Sequence, residues 1–533
     1  MEKMIFLIWA AVLILALVLY LRDVYSTLEK YGVKHLKPFP LLGNILHVLL
    51  RKCHVADQMQ ELYFAFPEER FSGKYDFLKP SLMIHDLDLI KKITVKDFEY
   101  FIDHRRVVDE TIEPCFGRNL FSLRGQEWKD MRSTLSPAFT SSKMRNMVPF
   151  MVEVNEQMIR VLKKKIKESE GGYVDIDCKD LTTRYANDVI ASCAFGIKLD
   201  SHTEENNEFY LNGKGIATFG FKAILVVFGY QAMPSLMRKL NARLFTDSTT
   251  NFFNSLVMNN MKERELHKIL RPDMIHLLME AKKGKLTHEE KNQTADTGFA
   301  TVEESEFGTK TVNREWSDGD LVAQAVLFFI AGFETVSSTM SFLLYELALN
   351  PDVQERLAQE IKENDARNGG KFDYNSIQNL KYLDMVISEV LRLWPPVIGL
   401  SRECKKNYNI GRANDNAPRD YIVRKGEEIT IPVFPVHRDP KYFPNPEKFD
   451  PERFSDENKG KIKPFSYMPF GVGPRNCIGS RFALCEVKVM AYQMIQHLEL
   501  SPCEKTSIPA KLDPSTFNTI LEGGYWLRFK TRN

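Results

Sequence analysis

A cysteine in a short glycine-rich loop, placed directly before a helix, constrains this chain more than any other feature. The loop runs Phe470-Gly471-Val472-Gly473-Pro474-Arg475-Asn476-Cys477-Ile478-Gly479, and helical periodicity follows from Ser480 to Leu498. A cysteine at the amino end of a helix faces unpaired N–H groups and the positive end of the helix dipole, which stabilise a thiolate. Because the thiolate is the form that binds metals, Cys477 is predicted to be a metal ligand rather than a small buried apolar side chain.

The neighbours of this cysteine suit a large, flat cofactor. Gly473 and Gly479 allow backbone conformations or close approaches that bulkier residues forbid, so the loop can lie flat under a planar group. Arg475 offers a guanidinium to an anionic group at the edge of that cofactor.

This loop resembles the haem-binding loop of the cytochromes P-450. That family has phenylalanine, two residues, glycine, one residue, arginine, one residue, cysteine, one residue and glycine, and Phe470 to Gly479 matches every fixed position. The resemblance implies a mainly α fold with small β-sheets, and haem b with Cys477 as its axial ligand and Phe470 and Arg475 beside it.

A second motif pairs Glu389 with Arg392, one helical turn apart. Alone, such a pair is usually an exposed and weak salt bridge. In the family, an arginine from a later Pro-Glu-Arg-Phe segment completes the pair, and Pro451-Glu452-Arg453-Phe454 is present here. The resemblance implies a buried charge cluster that stabilises the segment beneath the haem, since unpaired buried charges are costly.

A third motif, Ala331-Gly332-Phe333-Glu334-Thr335, lies in an apolar run from Leu321 to Leu349 that predicts a helix of about 40 Å. Ser317 and Asp320 are predicted to form its capping box. The Thr335 hydroxyl can bond to a backbone carbonyl and loosen the helix locally. By resemblance, Thr335 hydrogen-bonds molecular oxygen and Glu334 relays protons to it. A core helix with a glycine packing notch is the alternative.

Further cofactor contacts are implied for three side chains. Trp128 and Arg132 are four residues apart and share one helical face, so both donors can meet a haem propionate, as their counterparts do in the family. Arg402 is a further propionate ligand by resemblance, with an ordinary surface arginine as the alternative.

The amino terminus predicts a membrane anchor. Met4 to Leu21 is apolar and uncharged, about the length at which a membrane helix becomes the default interpretation. Basic residues predominate on its carboxyl side, which places the main body in the cytosol. By resemblance the protein is expected in the endoplasmic reticulum membrane. A cleaved secretory signal is the alternative.

Three regions are predicted along the chain: an anchor over 1–22, a proline-containing linker over 23–44 and a haem-thiolate catalytic domain over 45–533. The clearest helices are Gln126–Arg132, Met144–Glu168, Asn251–Lys268 and Pro272–Lys283. Predicted strands are Tyr421–Val433, Tyr525–Phe529 and Asp76–His85, and 284–313 is predicted to be an exposed loop.

Composition excludes some functions. The chain has 72 basic and 70 acidic side chains, so its net charge of +2 gives no bulk attraction to nucleic acid. Its 8 cysteines are sparse among 533 residues, which is unlike a disulfide framework and favours a reducing compartment.

The resemblance implies a monooxygenase that inserts one oxygen atom from O2 into a lipophilic small molecule. No flavin or nicotinamide fingerprint is evident, so electrons are expected from a membrane-bound, NADPH-dependent flavoprotein reductase. Lys129, Lys463 and Arg481 are candidate contacts for its acidic face. The resemblance also allows cytochrome b5 as a partner.

The substrate is predicted only by class. Five segments are implied as apolar and aromatic pocket lining: Cys115–Phe121, Thr218–Phe228, Phe328 with Phe329, Val397–Leu400 and Phe517–Leu521. The sequence is most similar to the clan of vertebrate drug-oxidising and insect xenobiotic-oxidising enzymes, so a foreign lipophilic compound is preferred.

Other functions stay open at this point. They are an endogenous lipid, steroid or hormone hydroxylase, a reductase-independent hydroperoxide-rearranging enzyme, and a non-catalytic haem carrier or sensor. The acid and alcohol at Glu334 and Thr335 argue against the last two.

Overall fold

Helices form most of the structure, a computed structural model that describes residues 2–283, 298–302, 314–369 and 372–532. The α-helices within those ranges are α1 Glu2–Tyr25, α2 Leu46–Leu49, α3 Val55–Phe64, α4 Leu87–Lys91, α5 Pro114–Gly117, α6 Gly125–Leu135, α7 Ser141–Glu168, α8 Cys178–Ile190, α9 Glu208–Ala217, α10 Phe221–Ala232, α11 Pro234–Lys239, α12 Asp247–His267, α13 Met274–Lys282, α14 Asp318–Leu349, α15 Pro351–Asn368, α16 Tyr374–Gln378, α17 Lys381–Leu393, α18 Val433–Val436 and α19 Ser480–His497.

The strands are short and form small sheets. They are β1 Phe71–Asp76, β2 Lys79–Ile84, β3 Tyr173–Asp177, β4 Leu400–Glu403, β5 Tyr408–Gly411, β6 Tyr421–Val423, β7 Glu428–Ile431, β8 Leu498–Pro502 and β9 Trp526–Thr531. A four-stranded sheet has the order β1-β2-β7-β4, a three-stranded sheet the order β3-β9-β8, and β5 pairs with β6. The β2–β7 pair is parallel and the other pairs are antiparallel. The prediction of a mainly α fold with small sheets is confirmed.

The predicted helices are confirmed, whereas two of the predicted strands need correction. The four helices named from periodicity correspond to α6, α7, α12 and α13, with ends that differ by about one turn or less. Tyr421–Val433 is not one strand, because a turn with Gly426 at φ 86° separates β6 from β7. The predicted strand Asp76–His85 is also not one strand, because it begins at the last residue of β1, crosses the turn and then covers β2.

Of the predicted loop 284–313, residues 284–297 and 303–313 lie outside the described residues.

The long helix α14 and the helix α19 position the site. The side chain of Ser317 accepts a hydrogen bond from the backbone N–H of Asp320, and the side chain of Asp320 accepts one from the backbone N–H of Ser317. These two bonds confirm the predicted capping box at the start of α14. α14 has buried residues along nearly its whole length and packs against α8, α17 and α19. α19 begins at Ser480, as predicted, and packs against α7. The loop that carries Cys477 is thereby held opposite the middle of α14.

The amino-terminal helix α1 is a candidate membrane span. It has no buried residue and is long and apolar enough to cross a membrane. α14 is also long and apolar enough, but 72% of its most apolar stretch is buried inside the structure, so α14 is a core helix.

Leu28 and Val33 are buried beside β1 and β2, so part of the predicted linker packs on the folded body. The division at residues 22 and 44 stays a prediction.

The motif of Glu389 and Arg392 forms the predicted buried cluster. Both side chains are completely buried, and Arg392 Nε lies 2.7 Å from Glu389 Oε2. Arg453 Nε lies 3.3 Å from Glu389 Oε1, so the arginine of the Pro-Glu-Arg-Phe segment completes the cluster. Arg392 also donates to the carbonyls of His437 and Pro446. These bonds tie α17 to the segment that precedes the cysteine loop.

A second buried acid, Glu486 on α19, lacks such partners. It is completely buried, and neither of its carboxyl oxygens has a hydrogen-bond partner within the described part of the chain. A charge on Glu486 would act on the nearby Tyr185 and Cys193, which are uncharged when protonated and so offer it no compensating cation. Burial therefore raises the pKa of Glu486 well above its usual value.

This acid should make folding stability depend on pH. The folded pKa is raised, so the contribution of Glu486 is fully present below its unfolded pKa of about 4.3 and is lost as pH rises towards the folded pKa. The wild type should lose up to about 1.4 kcal/mol per pH unit across that range relative to Glu486→Gln, which cannot ionise. Urea unfolding of both proteins from about pH 6 to 9 measures the difference. Parallel pH profiles would show that Glu486 is ionised in the folded protein.

Candidate active site

A cavity of about 340 Å³ lies between α14 and the loop that precedes α19. Cys477 lines it from the loop, and Gly332 and Thr335 line it from α14. Most of the remaining wall is apolar, and the polar side chains of Arg132, Arg475 and Asn476 also line it. A concave, mostly apolar cavity with a few polar groups is the usual form of a cofactor site.

Cys477 is the one exposed cysteine of the eight, and its exposed surface faces this cavity. Its backbone N–H donates to the Phe470 carbonyl at 2.8 Å, which closes the loop on itself. Gly473 has φ 71°, and a Cβ there would lie 2.1 Å from the Thr94 carbonyl oxygen, so only glycine fits. Gly479 has neither a positive φ nor a close neighbour, so the conformational role predicted for it is confined to Gly473.

Arg132 and Trp128, both on α6, lie at the cavity as predicted. Arg132 donates to the backbone carbonyl of Asn476 at 2.7 Å and to its side-chain oxygen at 2.9 Å. Trp128 is 1% exposed, and the guanidinium of Arg475 stacks 4.1 Å from its ring centre. α6 therefore supports the two residues that directly precede Cys477.

Arg402 is buried on β4 and is not among the residues that line the cavity, although it neighbours His104, which lines it. Its Nη1 donates to the Ser401 carbonyl at 2.9 Å and lies 3.3 Å from His104 Nδ1, while its Nε has no hydrogen-bond partner within the described residues. Burial lowers the pKa of Arg402 to about 10. A buried guanidinium with a donor to spare and only neutral partners calls for an anion, which fits a haem propionate.

Haem b fits the remaining features of this cavity. A thiol stands exposed on the cavity beside the amino end of α19, where a thiolate is stabilised. Phe470 lines the same wall, as predicted. The site therefore offers one sulfur to ligate the iron, apolar side chains to pack against the porphyrin ring, and arginines to bind its carboxylates.

Thr335 lies on the cavity and Glu334 lies behind it. The Thr335 hydroxyl donates to the Ala331 carbonyl, one turn earlier in α14, which is the kind of bond predicted for it. Glu334 is buried and is not among the cavity-lining residues; its Oε1 lies 2.8 Å from Lys179 Nζ on α8. Lys179 also donates to the hydroxyls of Ser337 and Ser338. A chain of polar groups thus runs from α8 to the helix segment that carries Thr335.

The predicted lining is only partly found around the cavity. Leu120, Phe121, Phe328, Val397 and Leu400 line it. Phe329 instead points into an aromatic cluster with Phe195, Phe209 and Phe253. The segments 218–228 and 517–521 contribute no residue to this cavity.

Two residues at the site were missed in the sequence. His104 lines the cavity, stacks on Phe121 at 4.7 Å and bonds through Nδ1 to the Ser401 carbonyl. Burial, followed by the charges of Arg402 and Arg475, lowers the pKa of His104 well below its usual value, so the ring is neutral. Lys179, the partner of Glu334, was also missed. Neither residue belongs to a motif, so no local signal identifies it.

Comparisons with known proteins agree with this site. The family described as Cytochrome P450 matches residues 33–526. The chain is 46% identical over 515 residues to "Cytochrome P450 9e2" of Blattella germanica, covering 95% of this chain and 93% of that protein. It is 43% identical over 513 residues to "Probable cytochrome P450 9f2" of Drosophila melanogaster, covering 94% of each. It is 37% identical over 516 residues to "Cytochrome P450 6k1" of Blattella germanica, covering 97% of this chain and 94% of that protein.

Proposed function

We propose that Cys477 is the haem ligand of this chain, which belongs to the cytochrome P450 family and is a monooxygenase with haem b as its cofactor. The observation that carries the proposal is the position of Cys477, exposed on the cavity that Thr335 lines from α14. When bound, haem with a thiolate ligand supplies the oxygen chemistry, because electron donation from sulfur favours O–O cleavage.

Five further side chains are proposed to hold the cofactor. Arg402 offers its unpartnered Nε to a carboxylate of the haem, and Arg132 and Arg475 add positive charge at the same edge. Trp128 and Phe470 cover the ring from the cavity wall.

Protons are proposed to reach the cavity through Glu334 and Thr335. Thr335 lines the cavity from α14 while Cys477 lines it from the loop, and Gly332 lines it without a side chain of its own. Glu334 is held in its ion pair with Lys179, so it exchanges protons through that lysine and the neighbouring hydroxyls and acts on Thr335 through a change of side-chain position or an intervening water.

The substrate class is a lipophilic small molecule, and we favour a foreign compound. Apolar side chains form most of the cavity wall. The similar proteins include the insect proteins named cytochrome P450 9e2 and cytochrome P450 6k1, both from Blattella germanica. An endogenous lipid, steroid or hormone is the second candidate, since the same apolar wall accepts it.

The partners and location follow from the anchor and from the family. We propose that α1 holds the enzyme in the endoplasmic reticulum membrane with its body in the cytosol, where an NADPH-dependent flavoprotein reductase supplies electrons and cytochrome b5 is a further donor. Lys463 is exposed and Arg481 half-buried, whereas Lys129 is paired with Glu99 at 2.7 Å. Lys463 is therefore the most available of the three proposed docking cations.

The test is the amount of product formed per NADPH consumed in a reductase-supported assay. Thr335→Ala should still bind haem, carbon monoxide and substrate, because none of these steps needs its hydroxyl. Product per NADPH should fall by about tenfold or more as oxygen leaves as hydrogen peroxide. Glu334→Gln should also lower the ratio and should slow oxygen use more, since it removes the acid.

Two variants control for helix damage. Thr335→Ser keeps the hydroxyl and should restore most of the ratio, and Thr339→Ala removes a hydroxyl one turn away on the same cavity and should leave the ratio unchanged. An unchanged ratio in both Thr335→Ala and Glu334→Gln rules out the proposed relay. Turnover of the wild type without reductase would favour the rearranging enzyme.

A further inference from the structure

A buried carboxylate joins the wall of the cavity to the segment that connects α11 with α12, residues 240–246. Glu113, directly before α5, is 2% exposed, and its Oε2 accepts a hydrogen bond from the backbone N–H of Phe245 at 3.3 Å. Burial raises the pKa of Glu113, and the backbone N–H groups of Phe245 and Leu244 act against that rise. No side chain in the described ranges donates a hydrogen bond to this carboxylate, so backbone groups of the 240–246 segment hold it.

The side chain of Glu113 is not needed to start α5. This helix has proline at its first position and no side-chain cap. The backbone carbonyl of Glu113 accepts from the N–H of Phe116 at 3.2 Å and from that of Gly117 at 2.8 Å. Any residue at position 113 keeps these two bonds. The carboxylate therefore serves the contact with the 240–246 segment rather than the helix that follows it.

The wall side of this contact is fixed to the core. α5 packs against α14, and the loop after α5 is bonded to the same helix. Arg118 Nε lies 2.6 Å from Asp320 Oδ1, and the Leu120 N–H donates to Gln324 Oε1 at 2.7 Å. A separation of the two sides must therefore move the 240–246 segment rather than the wall.

An exposed ion pair runs beside the Glu113 bond. Arg238 Nη1, on α11, lies 3.6 Å from Asp109 Oδ2 on the wall side, and the arginine side chain is 52% exposed. Ion pairs exposed to this degree contribute little, because water screens them and both side chains lose freedom. The buried bond from Phe245 to Glu113 is therefore the stronger of the two polar links.

Aromatic side chains fill the space between this contact and the cavity. Phe121 lines the cavity, and Phe116 lies behind it with the ring centres 6.2 Å apart. The Phe116 ring centre is also 6.4 Å from that of Phe219 and 6.1 Å from that of Phe245. None of these last three rings is among the described residues that line the cavity. The layer therefore separates the cavity from the segment 218–228, and displacing Phe245 would open a way through it.

We propose that Glu113 is a positioning residue that selects ligands by size as they enter. Its bond to Phe245 keeps the 240–246 segment against α5, and large lipophilic molecules enter between these two segments. The proposal rests on the proposed function, which places haem and its ligands in the cavity beside Cys477. It predicts that loss of the Glu113 carboxylate speeds the entry of large ligands and leaves the entry of small ones unchanged.

The test compares two imidazoles that bind haem iron in the purified ferric holoenzyme. Imidazole itself is small, whereas clotrimazole carries the same ring on a carbon with three aryl groups. Stopped-flow absorbance at the Soret band gives the association rate constant of each ligand. Hydrogen exchange of the amides in 240–246 reports the contact itself.

In Glu113→Ala, exchange of the Phe245 amide should rise about tenfold, because its acceptor is gone. Clotrimazole should associate faster by roughly the same factor, while the rate constant for imidazole stays within about twofold of wild type. Glu113→Gln keeps a side-chain oxygen that can accept from Phe245, so it should restore most of the wild-type behaviour. Glu113→Ser is too short to reach Phe245 but can cap α5, so it should repeat the alanine result if the alanine variant folds poorly.

Arg238→Ala is the matched control, because it breaks only the exposed ion pair beside the same contact. It should change the clotrimazole rate constant by less than about twofold. An unchanged clotrimazole rate constant in Glu113→Ala and Glu113→Ser would overturn the proposal, and so would equal increases for both imidazoles. The reduced carbon monoxide complex separates this failure from failure of the proposed function: if the wild type shows the thiolate band, Cys477 keeps its role whatever the clotrimazole rate constants are.

Discussion

Cys477→Ser should abolish the strongly red-shifted Soret band that reduced, carbon monoxide-bound protein shows when a thiolate ligates haem. A serine hydroxyl stays protonated near neutral pH and cannot donate charge to iron as a thiolate does. Activity with reductase should fall to background, because O–O cleavage depends on that donation. The measurement is the reduced carbon monoxide difference spectrum, with haem content determined in parallel.

The same cavity offers a matched control in Cys193, which also lines it. Its thiol is 1% exposed and lies 3.8 Å from the Met147 carbonyl, and burial raises its pKa well above the usual value. Because Cys193 is held as a neutral thiol, Cys193→Ser should keep the band at full intensity. A band that survives in Cys477→Ser, or disappears only in Cys193→Ser, would contradict the assignment.

Features encoded in adjacent residues were predictable from the sequence. The glycine-rich loop, the start of α19 and the capping box of α14 all depend on contacts within a few residues. The spacing of residues in the sequence therefore predicts each of these features, and the structure has α14 capped by Ser317 and α19 beginning at Ser480 as predicted. The buried cluster of Glu389 also followed, since both of its segments carry recognisable motifs.

Features that depend on distant partners were not predictable. Glu334 meets Lys179, which is 155 residues earlier, and no pattern links the two. Phe328 and Phe329 are adjacent, and which of them faces the cavity depends on the rotation of α14, which packing against α8 and α9 decides. The bonds that Arg475 donates to the backbone carbonyls of Leu120 and Leu123 are of the same kind, because they join segments about 350 residues apart through backbone atoms common to every residue.

Glu389→Ala should destabilise the fold by about 3–5 kcal/mol, since it leaves the buried Arg392 without its carboxylate. The backbone N–H of Asp450, 2.8 Å from Glu389 Oε1, would lose its acceptor in the same step. α17 would then separate more easily from the segment that leads to the cysteine loop. We therefore expect haem incorporation to collapse along with thermal stability, although no atom of the cluster lines the cavity.

An exposed pair in the same protein provides the comparison. Glu168 on α7 lies 3.9 Å from Lys164, with side chains 64% and 76% exposed, so Glu168→Ala should cost no more than about 0.5 kcal/mol. Unfolding midpoints and haem content of the two alanine variants, purified side by side, measure the difference. Arg392→Ala should also lower stability and haem content, because it leaves the buried Glu389 with Arg453 alone of the two arginines of the cluster. If Glu389→Ala were as mild as Glu168→Ala, the cluster could not be what couples α17 to the cysteine loop, and haem retention would have to depend on the cavity wall alone.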